Sequence, residues 1–161
     1  MTPEQKLLAR PTFEQASREY LVMLTEMRTA ISRIAPNLQW EKDPFRERRS
    51  MCEPPYTKIE GSESAAFSSG DAQGAIADAD WPAVVTAVSG IAAQYRFTRV
   101  QGLVDKPGNH RLVMHDSWGG TVEMGSIIDS SLVVYSPCLL TESARYRISK
   151  SASSSPTRTT W

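Results

Sequence analysis

The stretch from Phe97 to Leu140 reads FTRVQGLVDKPGNHRLVMHDSWGGTVEMGSIIDSSLVVYSPCLL, and it decides the fold. Strand formers recur in short runs, and each run ends in turn residues. Phe97 to Val104 is a strand, and Asp105-Lys106-Pro107-Gly108-Asn109 is a turn cluster. His110 to His115 makes a second strand, closing a hairpin. Trp118-Gly119-Gly120 turns the chain again. Thr121 to Ile128 is a third strand, Asp129-Ser130 a tight connection, and Ser131 to Leu140 a fourth. Consecutive strands with short connections predict an antiparallel β-meander.

Upstream lie two helices. Thr12 is a candidate N-cap, with Gln15 three residues later completing a capping box. Phe13, Ala16, Tyr20, Leu24, Met27, Ile31 and Ile34 then recur at steps of three and four, which sets them on one helical face. Glu14, Arg18, Glu19, Glu26, Arg28 and Arg33 fill the wet side, and Pro36 stops the helix. The second helix starts at Asp80, an N-cap followed by Trp81-Pro82. Its stripe is Val84, Val85, Val88, Ile91, Ala92 and Tyr95, and Trp81 reads as a staple onto the sheet rather than a ligand platform. Between the helices, Leu38-Gln39-Trp40 reads as a short strand and Asp43-Pro44 as a turn. Glu53-Pro54-Pro55 excludes helix, a strand is centred on Ala65-Ala66-Phe67, and Ser69 to Ala79 reads as a loop. The expectation is an α+β two-layer sandwich: an antiparallel β-meander sheet of four to five strands covered on one face by two helices. Residues 1–140 form a single domain. Residues 141–161 carry Arg145, Arg147, Lys150 and Arg158 among serines and threonines, with few apolar residues, and read as a disordered basic tail.

Composition narrows function. Of 161 residues, 40% are apolar and 22% charged, ordinary for a soluble domain with one core. Eighteen basic and eighteen acidic residues cancel, so no global field draws the chain to nucleic acid or an anionic membrane. The longest apolar runs, such as Leu132 to Tyr135, fall far short of the ~20 residues of a spanning helix. Met1 to Arg10 holds neither a signal-peptide core nor a lipid-attachment cysteine, so the chain as written reads as soluble and without an export signal.

No constellation carries recognisable chemistry. His110 and His115 are five apart on one strand and face opposite ways. His115-Asp116-Ser117 invites a hydrolase reading, but adjacent strand residues diverge and no G-x-S-x-G elbow is present. Trp118-Gly119-Gly120 lacks the strand-to-helix setting of a phosphate loop. No catalytic residue, cofactor site or metal site is assigned. Arg46, Arg48 and Arg49, near Trp40, Phe45 and Tyr56, are a candidate anion patch. Glu41, Asp43, Glu47 and Glu53 neutralise that neighbourhood, and a solvated loop is the favoured reading.

Cys52 and Cys138 are the chain's two cysteines, with 85 residues between them. That is not a metal-site spacing. Two readings stay open at this point: a disulfide, worth roughly 4–5 kcal/mol by loop closure, or two unrelated buried thiols.

A wider order of features bears on this. Thr2-Pro3-Glu4-Gln5-Lys6 precedes the long helix, Phe13-Glu14-Gln15-Ala16 opens it, and Ile34-Ala35-Pro36 with Trp40 closes it. Cys52 follows, Ala92-Ala93-Gln94-Tyr95 ends the second helix, and a terminal strand carries Cys138-Leu139. Over Thr2 to Leu140 this order resembles the mycobacterial LppA-type lipoproteins. The resemblance implies a small α+β domain, tethered to the outer face of the cell membrane by an N-terminal lipidated cysteine. It also implies that Cys52 and Cys138 pair, and it assigns no activity. The chain departs from it in lacking the signal peptide and lipid-attachment cysteine, through a late start, trimming or lost export, and in having no family feature after Leu140. The expected function is non-enzymatic: a cell-envelope lipoprotein-type domain binding a protein partner or small ligand outside the cytoplasm, with no cofactor, through a sheet face or the cleft between helix and sheet. Membrane association would come only through the missing anchor. The alternative is a cytoplasmic polyanion- or nucleic-acid-binding module using Arg46, Arg48, Arg49 and the tail.

Overall fold

A computed structural model describes residues 1–42 and 45–153. The turn expected at Asp43-Pro44 and the tail residues 154–161, Arg158 among them, lie outside the described residues. Within them the elements run α1 (Pro3–Leu8), α2 (Phe13–Ile34), β1 (Gln39–Trp40), β2 (Arg46–Ser50), β3 (Ser62–Gln73), α3 (Trp81–Gln94), β4 (Arg99–Lys106), β5 (Asn109–His115), β6 (Thr121–Ser126), β7 (Ser130–Tyr135), β8 (Leu139–Leu140) and α4 (Glu142–Ser153). The α+β class and the β4-β5-β6-β7 meander are as expected. The strand count is corrected from four or five to eight, and the helices from two to four.

The strands make one antiparallel sheet in the order β1-β3-β7-β6-β5-β4, with β2 and β8 also paired to β3. The long strand β3 is therefore the organiser, and its last five residues, from Ser69, correct part of the expected loop. Ser69, Gly70 and Asp71 are poor strand formers. They are accommodated where the register against β7 shifts between Ser68 and Asp71, and Gly70 takes φ +78°, a conformation glycine adopts without a Cβ penalty. Strand β2 gives no sequence signal because all five of its residues are exposed; it forms by backbone pairing to Ser64–Ser68.

Helix α2 buries Phe13, Ala16, Tyr20, Met23, Leu24, Met27 and Ile31, the expected stripe with Met23 added and Ile34 at its margin. The Thr12 hydroxyl accepts from the Gln15 N–H at 3.2 Å, half of the expected capping box. The full reciprocal box belongs to α1, between Thr2 and Gln5. In α3 the Asp80 side chain makes no cap bond. The start rests instead on Pro82 in the first turn and on Trp81, which is buried and stacks on His110 of β5 at 5.0 Å. Alternate strand residues, Leu112 and Met114, Val122 and Met124, Leu132 and Val134, meet the two long helices in one core.

Residues Glu142–Ser153 are helical, which corrects the disordered tail expected from 141. Ala144 of α4 is buried and Ile148 packs beside it in a second apolar cluster with Leu7, Leu140, Cys52 and Cys138. Two well-placed apolar residues one turn apart are enough to dock a helix that composition alone marks as polar.

Candidate ligand-binding groove

Cys52 lies just after β2 and Cys138 just before β8. Their sulfurs stand 2.12 Å apart with Cα atoms 5.5 Å apart. The pair joins the proline-rich segment after β2 to the strand paired with the start of β3. Arg10 buttresses it: one guanidinium nitrogen donates to the Cys138 carbonyl at 2.9 Å and another to the Tyr56 hydroxyl at 3.2 Å.

The three arginines of the candidate anion patch stand on a strand rather than a loop. Alternation along β2 sets Arg46 and Arg48 on one face and Arg49 on the other. Arg46 pairs with Glu41. Arg49 bonds both Glu47 (2.8 Å) and Glu63 (2.7 Å), and its guanidinium lies 4.4 Å from the Phe13 ring centroid. The structure thus does not gather the three on one surface, and two of them already hold carboxylates.

The histidines face opposite ways, as their spacing predicts. His110 is buried, with Nε2 2.7 Å from Asp78 and Nδ1 3.1 Å from Asp105. The Asp78 carboxyl is drawn below its ordinary range, chiefly by the Gly108 N–H and then by His110. His115 Nδ1 sits 2.9 Å from the Asp116 carbonyl, not its carboxylate. The Asp116 carboxylate accepts from the N–H groups of Trp118 and Gly120, both at 2.8 Å, and so shapes the β5–β6 turn. Its burial pushes its pKa up, against those two N–H groups and the nearby Arg10 and Arg96. No nucleophile–base–acid relay is assembled from His115, Asp116 and Ser117. Among the described residues, no group of three or more His, Cys, Asp or Glu is placed to hold a metal ion.

What the fold does build is a groove of about 700 Å³ between the C-terminal half of α2, β1 and the residue before β2. Leu21 and Leu24 of α2 and Phe45 supply its apolar lining, and Trp40 of β1 an aromatic one. Arg28, read from sequence as a wet-side residue, crosses it. Its guanidinium donates to the Ser69 and Glu41 carbonyls, both at 2.7 Å, and lies 4.9 Å from the Trp40 ring centroid. Burial pulls the Arg28 pKa below the ordinary guanidinium value, offset in part by Glu41. Trp40 and Ser69 also line it, but their Nε1 and Oγ atoms are buried away from the open space, with no hydrogen-bond partner among the described residues. Such orphans are uncommon inside proteins and each calls for an explanation. The groove offers hydrogen-bonding side chains and apolar surface together. Sequence reasoning missed it because Arg28, Trp40 and Ser69 come from three separate elements, and Ser69 was expected in a loop.

Residues 2–142 match the family model LppA, described as a lipoprotein confined to pathogenic Mycobacterium. No curated protein matches the chain. The fold is similar to the crystal structure of the lipoprotein LppA from Mycobacterium tuberculosis, with a TM-score of 0.54 and 13% sequence identity, covering 88% of this chain and 89% of that one. At that identity the likeness is one of fold.

Proposed function

The chain belongs to the LppA family of lipoproteins, and from that premise we propose that it is the extracytoplasmic binding domain of a cell-envelope lipoprotein, holding a small amphipathic ligand in the groove between α2 and β1 without transforming it. The observation that carries this reading is the groove itself, in which Leu21, Phe45 and Trp40 lie beside polar and charged residues and the Arg28 guanidinium crosses between α2 and the Glu41 and Ser69 carbonyls. Ligand sites commonly combine apolar lining with a few fixed polar groups. A cysteine pair at bonding distance fits an oxidising compartment outside the cytoplasm. No described helix is long and apolar enough to cross a membrane, so attachment would fall to an anchor outside this fold.

The test is an NMR titration of the protein with decanoate and with decanol, an acidic and a neutral amphiphile. The Trp40 indole N–H and the Ser69 amide signals should move with at least one of them. If neither probe shifts these signals, the groove is not a ligand site. The polyanion-binding alternative draws less support, because Arg46 and Arg49 are engaged by carboxylates. Salt-dependent retention on a polyanion column would revive it.

A further inference from the structure

Resting on the lipoprotein reading above and not on the groove, we infer that α4 forms the membrane-facing surface of the domain and docks on the head groups of an anionic lipid bilayer. A tether upstream of the fold leaves it at the start of α1. That helix is six residues long, about 9 Å along its axis, and it packs against α4. Leu7 and Ala144 share one apolar cluster. Just past α1, the Arg10 carbonyl accepts from the Arg145 guanidinium at 2.9 Å. A chain held by its N-terminal end is therefore held beside α4.

The outward side of α4 has the chemistry for that place. Ala144 and Ile148 turn inward. Tyr146 lies two residues from each, on the opposite side of a helix with about 3.6 residues per turn, and it is 67% exposed. Tyrosine is favoured at membrane–water interfaces. Arg145 and Arg147 flank it, and the Lys150 ammonium stands 5.7 Å from its ring centroid. Nearby acids are engaged: the Glu142 carboxylate lies 3.8 Å from Arg18, and Glu14 accepts from the Glu142 N–H. Arg145 and Arg147 donate to the neutral carbonyls of Arg10 and Glu60, which leaves their charge in place. The Glu60 carboxylate is 3.9 Å from Arg147, but its side chain is 88% exposed, so water weakens that pair. Residues 154–161, outside the described residues, add Arg158 and Trp161 and no acidic side chain. A basic surface with an exposed aromatic ring beside the tether complements anionic head groups. Each basic residue close to such a bilayer strengthens binding about fivefold.

The experiment floats the full chain with vesicles of phosphatidylglycerol and, separately, of phosphatidylcholine, at low and high salt. The chain should rise with the anionic vesicles, and at low salt only. Arg147→Gln and Lys150→Gln should each weaken that binding about fivefold, and Tyr146→Ser should weaken it as well. Arg99→Gln, on the edge strand β4, should leave it unchanged. All four side chains are exposed, so the variants should melt with the wild type. No binding to the anionic vesicles, equal binding to both kinds, or an equal loss in Arg99→Gln would overturn the assignment. Retention on a heparin column at a salt concentration that strips the chain from the vesicles would overturn it in favour of a polyanion site. None of these outcomes bears on family membership or on the groove, which the amphiphile titration tests by itself.

Discussion

Asp116 and Asp78 show how two carboxylates of one chain acquire opposite pH dependences. Asp116 is 4% exposed, and burial raises its folded-state pKa. The folded state therefore binds its proton more tightly than the unfolded state, and this group's contribution falls as pH rises through the carboxylate range. Asp78 is drawn down, so its contribution is present above its unfolded pKa and lost as pH falls through the folded one. Asp116→Asn keeps a carbonyl oxygen to accept from Trp118 and Gly120 and removes the charge. It should melt at or above the wild-type temperature near pH 7, with the advantage shrinking toward pH 4 in a series of thermal melts. A wild-type advantage at pH 7 would mean the charged form is the one the turn needs. Gly61 is a second residue whose identity is dictated locally. Its φ is +80°, and a Cβ built there would stand 2.4 Å from the Ala144 Cβ. Gly61→Ala should cost about 2 kcal/mol or more, since backbone strain and overlap act together, read as a lower urea midpoint.

At the scale of elements, α1, α4 and the segment after β2 stand or fall together. They share the small cluster of Leu7, Cys52, Cys138, Leu140 and Ala144, apart from the main core. Replacing both cysteines by serine should cost about 4–5 kcal/mol if loop closure over an 86-residue separation governs. Hydrogen exchange should rise first in α1 and α4 rather than in β4–β7. Ending the chain at Thr141 removes Ala144 and Ile148 and uncovers Leu7 and Leu140. A loss of roughly 2–3 kcal/mol is expected from the apolar area exposed, measured by thermal melting; an unchanged melt would restore the boundary expected at 140. These elements also show what was legible in the sequence. The α2 stripe and the meander were, because helical and strand periodicities are local. β2 was not, because an edge strand with every residue exposed has no alternation. α4 was not, because its docking depends on where Leu7 and Leu140 happen to lie. The groove was invisible for the same reason: each of its donors is unremarkable until three elements meet.

The whole molecule is a sheet with one dry face. Phe67 of β3 touches Phe13 and Tyr20 of α2, and Tyr20 touches Phe97, so an aromatic cluster joins the layers. Beside the C-terminal half of α2, which still buries Met27 and Ile31 in the core, lies the groove lined by α2, β1 and Phe45. The groove borders the main core and shares Leu24 with it, so stability effects are read best at positions that belong to one region only. Leu132 of β7 is fully buried between sheet and helices, whereas Ile128, in the β6–β7 turn four residues earlier, is 83% exposed. Leu132→Ala should cost 2–5 kcal/mol, the transfer term plus the cavity left behind, by the usual scale of about that size for buried leucine. Ile128→Ala should stay within about 0.5 kcal/mol. Denaturant unfolding of the two variants checks the layer arrangement directly. Equal losses would mean that the β6–β7 turn is covered in solution, by another copy or a partner, and that the face opposite the helices is not open. With the expected inequality, a groove variant that loses a bound amphiphile while unfolding at the wild-type midpoint can be assigned to recognition rather than to folding.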